Sequence, residues 1–439
     1  MADTTDHVPA TAIERSARMA QAGLKVGGNY AKYLARKAVG RSSEADKAVL
    51  HRNNAEALYQ EFAQLRGTAL KLAQSISVDP GGFIPEAFAE VLSQAQYRVP
   101  PMSVALVSRR IKDELGASPE DLFASFDRDA LAAASIGQVH RATLRDGTPV
   151  AVKVQYPGVR ETISSDLAVA KTVMRRIVKS GKVPLDHYIQ EVRDRLLEET
   201  DYEQEARNIE CIAKQYQHPR IVTPRVMADY TTKGVLTMSF VEGQHLAEFL
   251  ADQPSKARKD DAGQLLWDFV HDQVAGGYDT MHADVHPGNF LFRQDGTLGV
   301  VDFGCVKSFP PSFRSQFLAL FRAQIREDWD EAKALYYETD ILNPESQDAQ
   351  SQERIFDFFK RFGQHLLAPY KSPTFDFSNR PFHDQLGKLF KEASTFNEPI
   401  GSPHFIFVNK VLVGLHGVLA RLGPTIDTRA SLDQLMQAQ

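Results

Sequence analysis

His282-Ala283-Asp284-Val285-His286-Pro287-Gly288-Asn289, followed shortly by Val301-Asp302-Phe303-Gly304, is the stretch on which the reading of this chain turns. An aspartate has an asparagine five residues on, and a second aspartate follows a predicted hairpin, Asn289 to Phe292 and Leu298 to Val301 about a Gln294-Asp295-Gly296 turn. Phosphoryl chemistry with Mg²⁺ needs hard oxygen ligands converging on the phosphates, and a carboxylate plus an amide oxygen from adjacent loops supply them. Asn289 and Asp302 are therefore assigned to the metal. Asp284, at the loop's apex, is assigned to orienting or deprotonating the attacking hydroxyl or water. Simpler explanations compete for each part. His282 and His286 at i, i+4 suggest a zinc pair, but Pro287-Gly288 make the segment a loop and no third ligand is near. Asp-Phe-Gly alone is a common turn tripeptide, yet turn chemistry does not explain its joint occurrence with the Asp-to-Asn step and the hairpin.

Upstream, Val150-Ala151-Val152-Lys153 follows an Asp146-Gly147 turn, with Val150, Val152 and Val154 alternating against Ala151, Lys153 and Gln155 as a hairpin strand does. A lone strand lysine is ordinarily an edge or solvent residue. Here it follows Ala132-Ala133-Ala134-Ser135-Ile136-Gly137-Gln138-Val139, which stands where kinases place a glycine-rich loop over ATP phosphates. Alanines replace most of the glycines, so this loop is expected to be stiffer and to bind phosphate differently. Lys153 in that setting matches the strand lysine that grips the α- and β-phosphates.

Three runs together, Ala133 to His140, Lys153-Val154-Gln155-Tyr156-Pro157-Gly158-Val159 and His282 to Asn289, resemble the UbiB/AarF family of atypical kinases. The resemblance is strong from about residue 45 to just beyond Ser312 and weaker to the C-terminus. It implies an α+β, two-lobed protein kinase-like fold, with a small β-rich N-lobe, a helical C-lobe and an N-terminal helical extension over the active site. ATP and Mg²⁺ are the implied cofactors, with Ala133, Ala134, Ser135, Ile136, Gly137, Gln138, Val139 and Lys153 binding nucleotide. Glu205 is the helix carboxylate that pairs with Lys153. The family's Lys-x-Gly-Gln motif corresponds to Lys71-Leu72-Ala73-Gln74, with Ala73 in place of glycine; Lys71 and Gln74 share a helix face. Glu199-Thr200-Asp201 corresponds to the family's Glu-x-Asp element, with Glu199 and Asp201 facing Lys71. Residues 199 and 201 lie on different sides of an ideal helix, so both reach one site only where the helix starts or bends. Without the family, these acids read as a charged helix face. Leu236 to Gly243 matches the inter-lobe hinge, and Ser239 stands where relatives commonly have an acid.

The implied organisation is a basic N-terminal segment over 1–45, a helical extension over 46–128, an N-lobe over 129–245 and a C-lobe over 246–439. Periodicity predicts helices over 46–78, around 87–96, over 104–115 closed by Gly116, over 166–179, 189–216 and 261–276, and over most of the chain beyond Pro311. The 439 residues are 43% hydrophobic and 24% charged, enough for two or three domain-sized units. A net charge of −5 provides no global positive field for a nucleic-acid backbone. Cys211 and Cys305 lie far apart without metal-ligand spacing, which points to a reducing, cytosol-like compartment.

The apolar stretch Phe405 to Leu422 is interrupted by Asn409, Lys410, His416 and Arg421. It falls short of the roughly 18 uninterrupted apolar residues of a spanning helix, so no transmembrane segment is expected. Residues 15–41 carry Arg15, Arg18, Lys25, Lys32, Arg36, Lys37 and Arg41 without an acid, which suits a transit peptide, a solvated arm or peripheral contact with an anionic membrane. Family members are linked to ubiquinone and other isoprenoid-lipid metabolism. The implied partners are ATP, an isoprenoid or quinone-type lipid and lipid-biosynthesis proteins, in a cytoplasmic location peripheral to a membrane. ATP hydrolysis supporting such synthesis is the leading expectation. An authentic protein or small-molecule kinase is the alternative within the same chemistry, and a nucleotide-switched scaffold or lipid-binding module without turnover is the alternative outside it.

Overall fold

The computed structural model describes residues 28–29, 33, 50, 53–54, 56, 101–134, 136–177, 185–278, 280–343, 346, 348–393 and 403–438. The basic segment, nearly all of the helix expected over 46–78, the one around 87–96, and with them Lys71, Gln74 and Ser135, lie outside the described residues. The chain divides into two compact units, one running to Ala206 and including Val226–Phe240, the other formed by Arg207–Arg225 and Val241 onward.

In the first unit, helix α1 (Val104–Leu115) starts at the Ser103 cap and ends at Gly116, whose φ of 79° is the left-handed conformation that glycine adopts without cost. An antiparallel sheet follows, built from β1 (Phe123–Phe126), β2 (Ala132–Ala134), β3 (Gly137–Leu144), β4 (Pro149–Gln155) and β6 (Val235–Ser239). Its order is β1-β3-β4-β6, with β2 folded back on β3 as a hairpin. The expected hairpin at Asp146-Gly147 joins β3 to β4, with Gly147 at φ 89°. The alternation in β4 is one of residue type and not of exposure, because every residue from Val150 to Gln155 is buried. Lys153 and Gln155 therefore sit on a covered face, and a buried polar side chain must find a partner there.

Helix α2 (Val159–Ile177) begins earlier than its periodicity suggested. The helix expected over 189–216 is two helices, α3 (Leu185–Glu199) and α4 (Tyr202–Gln215). The break has a local cause. The Thr200 hydroxyl donates back to the Leu197 carbonyl at 2.8 Å, and the Asp201 carboxylate accepts from the Gln204 amide at 3.0 Å, capping α4. Gln155 on β4 then donates to the Thr200 carbonyl at 3.1 Å, and Arg160 to the Thr200 hydroxyl at 3.0 Å. The boundary between the units falls within α4.

The second unit is mainly helical. Helix α5 (Lys256–Ala275) forms its axis, with Leu265, Leu266, Trp267, Phe269 and Val270 all buried, and α10 (Pro403–Leu422) and α11 (Arg429–Gln437) pack against it. Between them in sequence lie α6 (Pro311–Ile325), α7 (Trp329–Glu338), α8 (Ala349–Leu366) and α9 (Arg380–Ala393). Three small sheets interrupt the helices. The expected hairpin is β8 (Phe290–Phe292) with β9 (Leu298–Val300), and β5 (Ile221–Val222) joins β9 in parallel. The ladder of β7 (Thr280–His282) with β10 (Val306–Ser308) carries the decisive stretch, and β11 (Thr374–Asp376) pairs with β12 (Thr425–Asp427). Among the described residues no helix is long and apolar enough to cross a membrane.

Candidate active site

In the first unit, Lys153 lies on β4 opposite Val139 of β3 and Leu236 of β6. Its ammonium is 2.8 Å from both carboxylate oxygens of Glu205, in the first turn of α4, and 5.1 Å from the centre of the Tyr202 ring. The side chains are only 9% and 4% exposed, so this is a buried ion pair. The helix break makes it possible: α4 starts at Tyr202, which places Glu205 near the helix's positive end and brings it to the strand.

The alanine-rich run forms the β2–β3 hairpin, with Ala132 opposite Val139, Ala133 opposite Gln138 and Ala134 opposite Gly137. One glycine in it is required by space. A Cβ at Gly137 would stand 2.4 Å from the Val154 carbonyl oxygen and 2.8 Å from the Tyr202 hydroxyl. Ile136 is buried, and its carbonyl accepts from the Tyr156 amide at 2.9 Å. Gln138, expected to bind nucleotide, has its side chain occupied inside the unit: its oxygen accepts from the Met102 amide at 2.7 Å and its nitrogen lies 2.8 Å from His140 Nε2. His140 Nδ1 is 2.8 Å from the Asp127 carbonyl, and burial holds this ring below the ordinary histidine pKa. Glu199 ends α3 and Asp201 caps α4, so the two stand on either side of the break, both half-buried.

In the second unit, β7 leads into the loop that carries Asp284. The buried His282 receives no solvent; its amide donates to Gln273 Oε1 of α5 at 2.9 Å, and its Nε2 donates to the Asp302 carbonyl at 2.6 Å. Burial lowers the pKa of this imidazole below the ordinary histidine value. His282 thus ties the Asp284 loop to the Asp302 turn, with the fully buried Phe303 ring edge-on to it at 5.4 Å. The Ala283 amide donates to the Cys305 carbonyl at 2.9 Å, closing the same junction. His286 Nδ1 accepts from the Gly288 amide at 3.1 Å and shapes the Pro287–Asn289 turn. The two histidines of the supposed zinc pair each serve the loop's own geometry.

Asn289 is oriented by its neighbour. Its Nδ2 donates to the Asp284 carbonyl at 2.9 Å and to Asp284 Oδ2 at 3.1 Å, which leaves Oδ1 without a hydrogen bond among the described residues. Asp302 Oδ1 accepts from the Gly304 amide at 2.9 Å. One amide oxygen and one carboxylate, both half-buried or less exposed, fit Mg²⁺, which is held by one or two protein oxygens with phosphates and waters completing the shell. They do not fit zinc, and no group of three or more His, Cys, Asp or Glu converges among the described residues.

Four positions were not assigned from sequence. Asn208 of α4 donates to the Phe303 carbonyl at 2.9 Å, and Gln273 holds β7. Lys410 of α10 places its ammonium 3.1 Å from Asp284 Oδ1. A Cβ on Gly414, one turn further along α10, would meet the Val285 carbonyl oxygen at 2.5 Å. Lys410 drew notice only as a charge interrupting an apolar run, and nothing local in that run signals a partner 126 residues earlier.

Comparison with known proteins settles the family. The model of the ABC1 atypical kinase-like domain matches residues 94–336, more than half of the chain. The chain belongs to this family. Among curated relatives, an uncharacterized aarF domain-containing protein kinase of the Arabidopsis thaliana chloroplast is 30% identical over 93% of this chain and 56% of its own length. The mitochondrial atypical kinase COQ8 of Saccharomyces cerevisiae is 31% identical over 70% of this chain and 61% of its own. The chain spans about half to two thirds of the length of the curated relatives it matches. A solved structure, the complex of Rv3197 with erythromycin from Mycobacterium tuberculosis, superposes with a TM-score of 0.61 at 25% identity, over 90% of this chain and 98% of the other. The family is kinase-like, and relatives are called kinases.

Proposed function

We propose that this member of the family binds ATP with Mg²⁺ and hydrolyses it slowly, in support of ubiquinone or other isoprenoid-lipid synthesis. The observation that carries the reading is the Lys153–Glu205 pair. Desolvating two charges costs several kcal/mol per ion, and a buried ion pair is weak evidence for stability, so its place on this strand speaks for a task at phosphate. Lys153 grips the α- and β-phosphates while Glu205 fixes its orientation. Asn289 and Asp302 hold the divalent cation, which supplies charge neutralisation at the phosphates when bound. Asp284 orients the attacking oxygen, and Asn289 keeps its carboxylate in place. Lys71, Gln74, Glu199 and Asp201 are assigned a regulatory, occluding role over the site.

The lipid connection rests on what the UbiB/AarF resemblance implies and is the outer part of the proposal. The complex of Rv3197 with erythromycin supports the narrower idea that a fold of this kind accepts a bulky, largely apolar molecule.

Mg-dependent phosphate release from ATP by the wild type, beside Asp302→Asn and with and without anionic vesicles carrying an isoprenoid quinone, tests both parts. Release abolished in Asp302→Asn supports turnover, and stimulation by the vesicles supports the lipid role. ATP bound but never hydrolysed under any condition would leave a nucleotide-switched scaffold as the correct reading.

A further inference from the structure

We propose that Lys410, from a helix more than a hundred residues beyond the Asp284 loop, supplies the positive charge that acts on the transferring phosphate beside Asp284. The inference rests on the ATP-hydrolysing reading above and assigns one more residue to the same site.

Phosphoryl transfer passes through a loose transition state with negative charge spread over the oxygens of the migrating and leaving groups, and a fixed cation beside the migrating group stabilises it. The loop from His282 to Asn289 contains no lysine or arginine. Its half-exposed histidine, His286, uses Nδ1 to accept the Gly288 amide, which a doubly protonated ring does not do. The cation beside Asp284 comes instead from α10. Lys410 reaches Oδ1 at 3.1 Å while Asn289 reaches Oδ2 at 3.1 Å, so the carboxylate is approached from both of its oxygens.

The helix is built for that approach. Gly414 stands one turn from Lys410 on the same face, and its missing side chain lets the α10 backbone close on the Val285 carbonyl, where a Cβ would be 2.5 Å from oxygen. The same helix is anchored by the buried Val411, Leu415, Val418 and Leu419. The lysine is therefore carried by a rigid element, with only its own four-carbon stem free to follow a ligand.

Stability does not account for the pair. Lys410 and Asp284 are 40% and 39% exposed, and ion pairs in that setting contribute little to stability. An exposed lysine parked on a carboxylate is ready to turn to a second, more highly charged acceptor. The γ-phosphate of ATP, with its three terminal oxygens, is such an acceptor.

The test uses the full chain with Lys410→Met and Lys410→Arg, both melted beside the wild type to confirm folding. Two readouts are taken: steady-state phosphate release, and equilibrium affinity for Mg-ATP against Mg-ADP. Lys410→Met is expected to lower kcat about 10- to 100-fold with KM for ATP little changed, and Lys410→Arg to retain much of the rate. The preference for ATP over ADP should shrink in Lys410→Met, a change that a purely structural lysine would not produce. Unaltered kcat with unaltered preference overturns the inference and leaves the nucleotide reading standing. Faster release by Lys410→Met also overturns it, since the lysine would then be restraining Asp284. If the wild type binds ATP without turnover, the ATP-to-ADP preference still decides the role of Lys410. If it binds neither nucleotide, the nucleotide reading fails and Lys410 loses its role with it.

Discussion

Two lysine–carboxylate pairs, one in each unit, lie at nearly the same distance and differ in almost everything else. Lys153 and Glu205 make two hydrogen bonds of 2.8 Å with side chains 9% and 4% exposed. Lys410 and Asp284 make one of 3.1 Å with side chains about four times more exposed or greater. Burial, more than distance, decides what such a pair is for. Where water is excluded, each charge depends on its partner, and the geometry is locked. Where water competes, the contact is cheap to leave, and the lysine is free to change partners.

The largest effect expected from this contrast is at the buried pair. Removing one partner, Lys153→Met or Glu205→Leu, takes the bidentate contact from a charge that stays buried and should cost about 3–5 kcal/mol, read from denaturant unfolding of the full chain. The double variant Lys153→Met/Glu205→Leu should recover much of that loss, because both charges of the pair are gone. Additive losses in the double variant would mean that the two side chains act independently, contrary to their bidentate contact.

Burial governs neutral side chains in the same way, and acid exposes it. His271 and His416 of the second unit are fully buried and pushed down to about 4 and about 3 by desolvation, with the neighbouring histidines adding repulsion at His416. His271 holds its Nδ1 proton on the Trp267 carbonyl at 2.6 Å and accepts the Tyr370 hydroxyl on Nε2, a pattern for the neutral ring. The unfolded rings take up protons near pH 6.5 and the folded ones do not. Stability is therefore full above about pH 6.5 and falls toward the folded values, by about 1.4 kcal/mol per pH unit for each ring. His416→Leu should flatten the pH dependence of the melting temperature between pH 7 and 5. An unchanged slope would mean that His416 is protonated in the fold.

Third in size is Gly414→Ala. The added methyl meets a backbone oxygen that cannot swing aside, so α10 or the Asp284 loop must shift, at about 1–3 kcal/mol. The melting temperature measures that cost. Phosphate release should fall further than stability does, because the shift also withdraws Lys410 from Asp284.

Much of the candidate site could be proposed from sequence because its residues cluster in short, chemically unusual runs. The Asp284-to-Asn289 step, Asp302 after a hairpin, and Lys153 after a turn each carry their meaning within a dozen residues, and the family match agrees with the resemblance they suggested. The β8–β9 hairpin and the Gly116 helix stop were legible for the same reason. What escaped is long-range. The break at Thr200-Asp201 is reinforced by Gln155 of β4, which holds the Thr200 carbonyl from 45 residues away, and periodicity alone reads helix straight through it. The burial of both faces of β4 depends on what packs over Lys153 and Gln155, which alternation does not record. Lys410 was the extreme case: in sequence it marks an imperfect apolar run, and only the packing of α10 at Gly414 gives it a partner.

The smallest effect is the one that separates the two pairs most directly. Lys410→Met should change the unfolding free energy by no more than about 1 kcal/mol, because solvent replaces the ammonium at a carboxylate that is already partly hydrated. The same lysine-to-methionine change at position 153 is the large effect described above, so two chemically identical substitutions should differ several-fold in cost. Salt supplies an independent check: raising it from 0.05 to about 0.5 M shortens the screening length well below 10 Å and should erase the remaining difference between Lys410→Met and wild type, while leaving the deficit of Lys153→Met in place. A loss at position 410 as large and as salt-resistant as that at 153 would show that Asp284 is sealed from water when the chain is folded, and its lysine would then be a fixed structural partner.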